Sequence, residues 1–318
     1  MRPHPRPSPA RGGGEIREWL RHGLSVREIH YRIRWFADGR RPGHHRSRSP
    51  GAGYEFRGHA PLLRELDARR LDVHASLRDP FGYAAGLWQV RTFNQRSAIR
   101  VVVLADLSAS MSADGTQRKM ALLADLTATL AYSTSRAGDA FGFFGADTTL
   151  RNDFVQYPGH GRGAGLRMAE RLRAFVATGA GADGLIQAVH LLGRARTLVF
   201  LASDFHLAET TIDRLLAALS AHAVVPVVLW DEQEHTLPAA GFASVVDAES
   251  GAKRFLWLRP TLRARFEQRV QERRAELTRR LTHQGLPPLF LTAPFDADAV
   301  SAYFHAPGRV ATAAKPAA

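Results

Sequence analysis

Val101-Val-Val-Leu-Ala-Asp106-Leu-Ser108-Ala-Ser110-Met111 is an apolar, β-branched run that ends abruptly in a carboxylate and two hydroxyls. A short run of this kind bounded by polar residues predicts a strand buried on both faces. In an open α/β sheet, ligands bind outside the carboxyl ends of the strands, where Asp106, Ser108 and Ser110 would stand. A hard cation such as Mg²⁺ takes about six oxygen ligands near ~2.1 Å, and alternate residues of one turn can aim three side chains at a point. A second apolar run, 197–202, leads into Ser203-Asp204. If the two strands are neighbours, Asp204 makes a set of four oxygen-bearing side chains. Asp and Ser also turn chains and cap helices, so spacing alone leaves that reading open. Asp204 at the end of an independent strand favours the cation.

Outward from this run, apolar stretches alternate with segments of helical period from Ile99 onward. Strands are expected over 99–105, 140–144, 197–202 and 224–230, with weaker ones near Thr149, Lys253 and Leu289. Helices are expected over 119–136, 162–176, 184–192 and 209–221. A long one over 261–283 follows Pro260 and stops before Gly285 and Pro287-Pro288. Alternation of this kind predicts an α/β fold, a doubly wound and mostly parallel sheet. Upstream, the stretches 1–14 and 37–53 are rich in Pro, Gly and Arg and short of large apolar residues, a composition that favours disorder. The expected organisation is a basic, partly disordered arm over 1–53 with one helix at 16–35, then a small strand-containing subdomain over 54–98. The α/β domain follows over 99–306, with a disordered tail over 307–318.

With 318 residues, 45% of them hydrophobic and 23% charged, the chain can bury a sizeable core. Its 43 Lys+Arg against 30 Asp+Glu give a formal charge of +13, which attracts acidic proteins, nucleic acid or anionic membrane. The absence of cysteine excludes disulfides, thiolate metal sites and cysteine nucleophiles, and fits a cytoplasmic protein. The first twenty residues carry positive charge without the apolar core of a secretory signal. No apolar window approaches the roughly 20 residues needed to cross a bilayer.

Asp106-Leu107-Ser108-Ala109-Ser110-Met111 resembles the Asp-x-Ser-x-Ser-Met form of the metal-ion-dependent adhesion site of von Willebrand factor A-like domains. The segment 119–131 is similar to that family's first helix, and Gly138-Asp139-Ala140-Phe141-Gly142 to its lead into the second strand. Arg70-Leu71-Asp72 and Phe93 resemble a stretch found before the domain in the bacterial branch encoded beside MoxR-type AAA+ ATPases. The resemblance covers roughly residues 54–305. It implies a Rossmann-like sheet and a chaperone or assembly role without catalysis. Mg²⁺, or Mn²⁺, would be held by Asp106, Ser108, Ser110 and Asp204, and an acidic residue of a partner, the ATPase or its client, would complete the shell. Where the family offers threonine in a Gly-Gly-Thr-Asp-Leu context, this chain has Gly181-Ala182-Asp183-Gly184-Leu185, so Asp183 would supply a carboxylate in place of a hydroxyl.

Other readings attach to specific residues. Residues 179–184 fit Gly-x-Gly-x-x-Gly with Asp204 about 20 residues on, the pattern of an NAD-dependent oxidoreductase, yet a helical period rather than a strand precedes them. His206, beside Asp204, offers a base or a ligand, and a metal-assisted hydrolase would use the cation to polarise a substrate oxygen. The Arg-rich arm from Arg2 to Arg48 would support sequence-independent contact with nucleic-acid phosphates. No Gly-x-Ser-x-Gly elbow or Gly-x-x-x-x-Gly-Lys-Ser/Thr loop is present.

Overall fold

The computed structural model describes residues 27–39, 41–78, 80–115, 118–161, 163–179, 181–232, 234, 241–246, 253–258 and 260–306. The elements ahead of the main sheet are β1 (Pro42–Pro61), α1 (Val73–Leu77), α2 (Pro80–Ala84) and β2 (Gln89–Ser97). The first half of the sheet and its helices are β3 (Arg100–Asp106), α3 (Arg118–Ala137), β4 (Ala140–Ala146), β5 (Leu150–Gly159), α4 (Ala164–Ala174) and α5 (Gly184–His190). The second half comprises β6 (Leu198–Ser203), α6 (Glu209–Ala218), β7 (Ala223–Leu229), α7 (Pro260–His283), β10 (Leu289–Leu291) and α8 (Ala297–His305). A two-stranded ribbon, β8 (Gly241–Val246) and β9 (Lys253–Leu258), lies between β7 and α7 in the chain.

The six-stranded sheet has the order β10-β7-β6-β3-β4-β5, parallel throughout except for β5, which runs antiparallel on β4. Numbered within the sheet this is the doubly wound order 3-2-1-4-5-6. It is the doubly wound, mostly parallel α/β sheet that the alternation of segments predicted. Strands in such a sheet are covered on both sides, which is why β3 reads as an unbroken apolar run. Successive side chains go to opposite faces. Val101, Val103 and Ala105 pack with α3, α4 and α8, whereas Val102 and Leu104 pack with α5, α6 and α7. Phe143 and Phe200 are completely buried on the first face, each contributing about 1.5–3 kcal/mol of transfer free energy. Buried hydroxyls on α3 are satisfied within the helix: Thr127 donates to the Leu123 carbonyl and Ser133 to that of Thr129.

Upstream of the sheet the structure departs from the sequence expectations. The helix expected over 16–35 lies outside the described residues as far as 26, and residues 27–37 are not helical. They run with a period of two: Ile29 and Tyr31 are buried and Ile33 and Trp35 partly so, while His30, Arg32 and Arg34 are exposed. The seryl oxygens of two helices fix this extended path, since Ser133 Oγ accepts from the Ile29 N–H at 2.8 Å and Ser301 Oγ from the His30 N–H at 3.0 Å. The stretch 37–53, expected to be disordered from residue 37 on, instead enters β1, which pairs antiparallel with β2 and crosses the boundary expected at 53. Composition misled there because glycine serves pairing. A Cβ on Gly53 would fall 1.8 Å from the Asn94 carbonyl oxygen, so only glycine allows that approach. Within the subdomain expected over 54–98, Ala68–Arg70 forms a 3₁₀ turn and α1 starts at Val73, capped by the Asp72 carboxylate on the Ala75 N–H. Arg70, stacked 5.0 Å over the Phe93 ring, and Asp72, paired with Arg91, tie this turn to β2. The tail expected over 307–318 lies outside the described residues.

Candidate metal centre

β3 and β6 are adjacent parallel strands, so the residues that follow them emerge at the same edge, at the point where the strand order reverses. Asp106 closes β3 and is fully buried. Its Oδ1 accepts the Ser108 N–H at 2.9 Å, a local turn of the kind Asp favours, and its Oδ2 accepts the Ser203 hydroxyl at 2.7 Å. Ser203 Oγ in turn accepts the Phe205 N–H at 2.8 Å. Asp204 Oδ1 takes the His206 N–H at 3.0 Å, and Phe205 between them has φ 54°. A buried phenylalanine in the left-handed region is strained, and strain of this kind concentrates at functional turns.

The hydroxyls of Ser108 and Ser110 lie 3.1 Å apart. Adjacent ligands of an octahedral ion with bonds of ~2.1 Å are about 3.0 Å apart, so this pair has the spacing of one octahedral edge. Both serines are nearly buried, on a turn pinned by the Ala109 N–H to the Gly179 carbonyl at 2.7 Å. Gly179 must be glycine here, because a Cβ would meet the Asp147 carboxylate at 2.4 Å.

Sequence reasoning missed three groups at this edge. Ser203, which orients Asp106, was legible only as the residue before Asp204. Lys119, at the start of α3, reaches in with its ammonium to Asp204 Oδ2 at 2.9 Å, to the Ser110 carbonyl at 2.8 Å and to Glu234 Oε2 at 2.7 Å. Neither Lys119 nor Glu234 carries a local pattern that marks it, since their meeting is set by the register of β6 and the length of the turn after β7.

The charges are unevenly met. Burial, and then the Asp204 charge, push the Asp106 carboxyl up to about 6, against the hydrogen bonds from Ser108 and Ser203. Burial is the largest influence on Asp204 and raises it, but the Lys119 ammonium together with the His206 charge and backbone N–H outweighs burial and holds that carboxyl below the usual carboxylate range. Burial raises Glu234 as well, partly offset by Lys119. The Lys119 ammonium touches Asp204 and Glu234 but not Asp106, which is met by hydrogen bonds alone.

Asp183 pairs with an arginine. It precedes α5 with no side-chain cap bond, its side chain is 60% exposed, and its ion-pair partner is Arg214 at 3.8 Å. His206 is exposed and meets Asp204 through its backbone N–H. Residues 179–184 follow α4 and not a strand, which removes the structural context of a dinucleotide-binding turn. Among the described residues no group of three or more His, Cys, Asp or Glu side chains is disposed to hold a metal, so an ion here would rest on the hydroxyls as much as on the carboxylates. The donor set nonetheless fits a hard cation. Its side-chain donors are all oxygens, Asp106 and Asp204 each have about half of their lone-pair positions unused, and the buried charge is unbalanced toward negative. A cleft of about 890 Å³ lies elsewhere, at the amino-terminal edge, lined by Tyr31, Arg32, Arg34, His45, Arg96 and Arg136 among others. No helix among the described residues is long and apolar enough to cross a membrane.

The chain is 38% identical over 101 residues to an uncharacterized protein in the moxR 3′ region of Paracoccus denitrificans, a match covering 31% of this chain and 96% of that one. Solved structures similar to it include the conserved hypothetical protein BatB from Bacteroides thetaiotaomicron, at 10% identity and TM-score 0.40 over 65% of this chain and 96% of that chain. A von Willebrand factor type A protein from Catenulispora acidiphila matches at 11% identity and TM-score 0.34, over 67% of this chain and 42% of that chain. A family model matches residues 67–276, and the chain therefore belongs to the family described as Protein of unknown function DUF58.

Proposed function

We propose that this chain is a protein-binding module of an assembly or chaperone system, working with a MoxR-type AAA+ ATPase, and that it docks an acidic residue of its partner at the carboxyl edge of the sheet through a divalent cation. The observation that carries this reading is the convergence of two buried carboxylates and two hydroxyls with octahedral-edge spacing at the point where the strand order reverses. The ATPase enters through the relative in the moxR 3′ region. Asp106, Ser108, Ser110 and Asp204 would hold the ion. Asp183, which pairs with Arg214, is the further carboxylate of the proposed set. Bound Mg²⁺ or Mn²⁺ supplies a double positive charge on which a carboxylate oxygen can sit. The chain's own part is to hold the serine oxygens in place, through the Asp106 turn and the Gly179 contact, and to keep water from competing. The reading is of binding and not of catalysis.

Titration calorimetry of Mg²⁺ and Mn²⁺ into chelator-stripped protein tests it. We expect saturable binding in the wild type that is lost in the Asp106→Ala, Ser108→Ala double variant, together with metal-dependent capture of the MoxR-type ATPase. A wild type that takes up neither ion would remove the cation from the reading.

A second reading, contact with nucleic-acid phosphates, is favoured by one observation: His30, Arg32 and Arg34 form an exposed stripe on the extended segment, beside Arg96 in the large cleft. With about four phosphate contacts, affinity for a single-stranded oligonucleotide would drop roughly 50-fold between 50 and 200 mM salt. Fluorescence anisotropy that shows no binding at 50 mM salt disposes of it.

A further inference from the structure

The Lys119 ammonium is enclosed, with a side chain only 3% exposed, and its three N–H donors have three oxygens within reach: the Ser110 carbonyl, Asp204 Oδ2 and Glu234 Oε2. Two of the three are fixtures. Ser110 belongs to the pinned turn after β3, and Asp204 is buried at the end of β6. Glu234 differs in kind, because it sits on the turn that leaves β7, outside any regular element, and its side chain is the more exposed of the two carboxylates at 14%. When Glu234 leaves, Lys119 keeps Asp204 as its counter-charge, but one of its buried N–H donors is left without an acceptor until another oxygen takes the place.

We propose that Glu234 is the site's own carboxylate, seated on Lys119 in the place that a partner's Asp or Glu takes, so that docking exchanges one carboxylate for another on the Lys119 ammonium. This rests on the docking reading above and not on the metal, and it names Lys119 as the residue that recognises the acid. Charge accounts for the exchange. The crevice already holds Asp106, Asp204 and Glu234 around the Lys119 ammonium, with the Arg273 guanidinium on the Phe205 carbonyl. A partner's acid added to these would bring a fourth negative charge into a buried cluster, whereas one that replaces Glu234 leaves the total unchanged. The seat favours a carboxylate over a neutral side chain, because only a carboxylate remakes the charge-assisted hydrogen bond that Glu234 gives up. Recognition of an acidic partner is then selective without any preformed open pocket, and the wild type binds with its affinity reduced by the fraction of time the seat is taken.

The test uses the full chain and two small probes, N-acetyl-glutamate N-methylamide and its glutamine counterpart, followed through the NMR shifts of the amides of residues 108–112 and 118–120. Glu234→Ala vacates the seat. The double variant Glu234→Ala, Lys119→Met also removes the ammonium without leaving a carboxylate from Glu234 stranded against it. If the seat is open about a tenth of the time in the wild type, Glu234→Ala binds the glutamate probe on the order of tenfold more tightly. The glutamine probe gains nothing, and the double variant responds to neither. The proposal is overturned if Glu234→Ala binds no more tightly than the wild type, or if the double variant binds as Glu234→Ala does. Running each titration in chelator and in Mg²⁺ separates the two ideas. Tighter binding by Glu234→Ala in chelator supports the Lys119 seat whatever becomes of the metal. Metal uptake by a wild type whose probe affinity matches that of Glu234→Ala supports the cation and overturns the seat.

Discussion

Asp106→Asn stabilises the chelator-treated protein above pH 6, by on the order of 3 kcal/mol, and the gain disappears by about pH 4. The expectation follows from a carboxyl held at about 6 in the folded chain against 3.8 as its ordinary value. Below the lower value the group is protonated in both states and makes no difference. Between the two the unfolded chain gives up its proton first, so the wild type loses stability as pH rises, and the full penalty is present above 6. Asparagine has no proton to lose and can keep the contact that matters locally, with its carbonyl oxygen accepting the Ser108 N–H as Asp106 Oδ1 does. Denaturant unfolding at pH 4, 5, 6 and 7 in chelator reads the difference. Saturating Mg²⁺ reverses the order, because only the carboxylate gains from the ion. A variant less stable than the wild type at pH 7 in chelator would mean that Asp106 is satisfied as it stands, and the case for a missing cation would go with it. A substitution that stabilises the fold while abolishing binding is what a residue kept for function is expected to give.

Much of the fold was legible because its signals are local. An unbroken apolar run means a strand covered on both sides, and β3, β4, β6 and β7 each show one; α3 and α6 carry a clear helical period on the intervening segments. The strand-end residues Asp106, Ser108, Ser110 and Asp204 were legible for the same reason, since a polar residue directly after such a run can only stand at the sheet edge. What stayed hidden depends on contacts between distant segments. Residues 27–35 hold enough apolar side chains to suggest a helix, and their alternation of Ile29, Tyr31, Ile33 and Trp35 gains meaning only from the surface of α3 and α8 beneath. The Gly- and Arg-rich stretch beginning at 37 looks unable to order itself, and alone it would be; β2 supplies the partner. Lys119 reads as one more surface lysine at a helix start. Only the adjacency of β6 puts Asp204 under its ammonium, and only the turn after β7 brings Glu234 to its other side.

The largest loss of stability is expected from a carboxylate at the other edge of the same sheet. Asp139, between α3 and β4, has no exposed side-chain surface and accepts from three donors: the Ile99 N–H at 2.8 Å, the Tyr31 hydroxyl at 2.5 Å and, through its Nε2, His45 at 2.8 Å. Those donors come from the strand entry, the extended segment before β1 and β1 itself, so a single side chain joins three pieces of chain far apart in sequence. Burial and the neighbouring carboxylate push the Tyr31 hydroxyl well above its ordinary value, so it keeps its proton and remains a donor at any ordinary pH. Asp139→Ala leaves three buried donors without their acceptor, and at about 1–3 kcal/mol each, with partial relaxation, the cost is about 3–5 kcal/mol. Asp139→Asn retains an acceptor for the Ile99 N–H and costs roughly half as much. Hydrogen exchange should then locate the damage at the Ile29 amide and along 42–48, ahead of the central strands, and a loss under about 1 kcal/mol would show that water replaces the carboxylate at no net cost. The contrast with Asp106 is what gives the pair its meaning. Both aspartates are buried at the ends of sheet strands, but three donors from distant segments meet Asp139, and its removal should weaken the fold. Asp106 has two neighbouring hydroxyl and amide donors, a second carboxylate nearby and no ammonium in contact, and its neutralisation should strengthen the fold. Opposite signs at the two edges would distinguish the carboxylate that builds the domain from the one the domain holds, at a cost to itself, for a ligand.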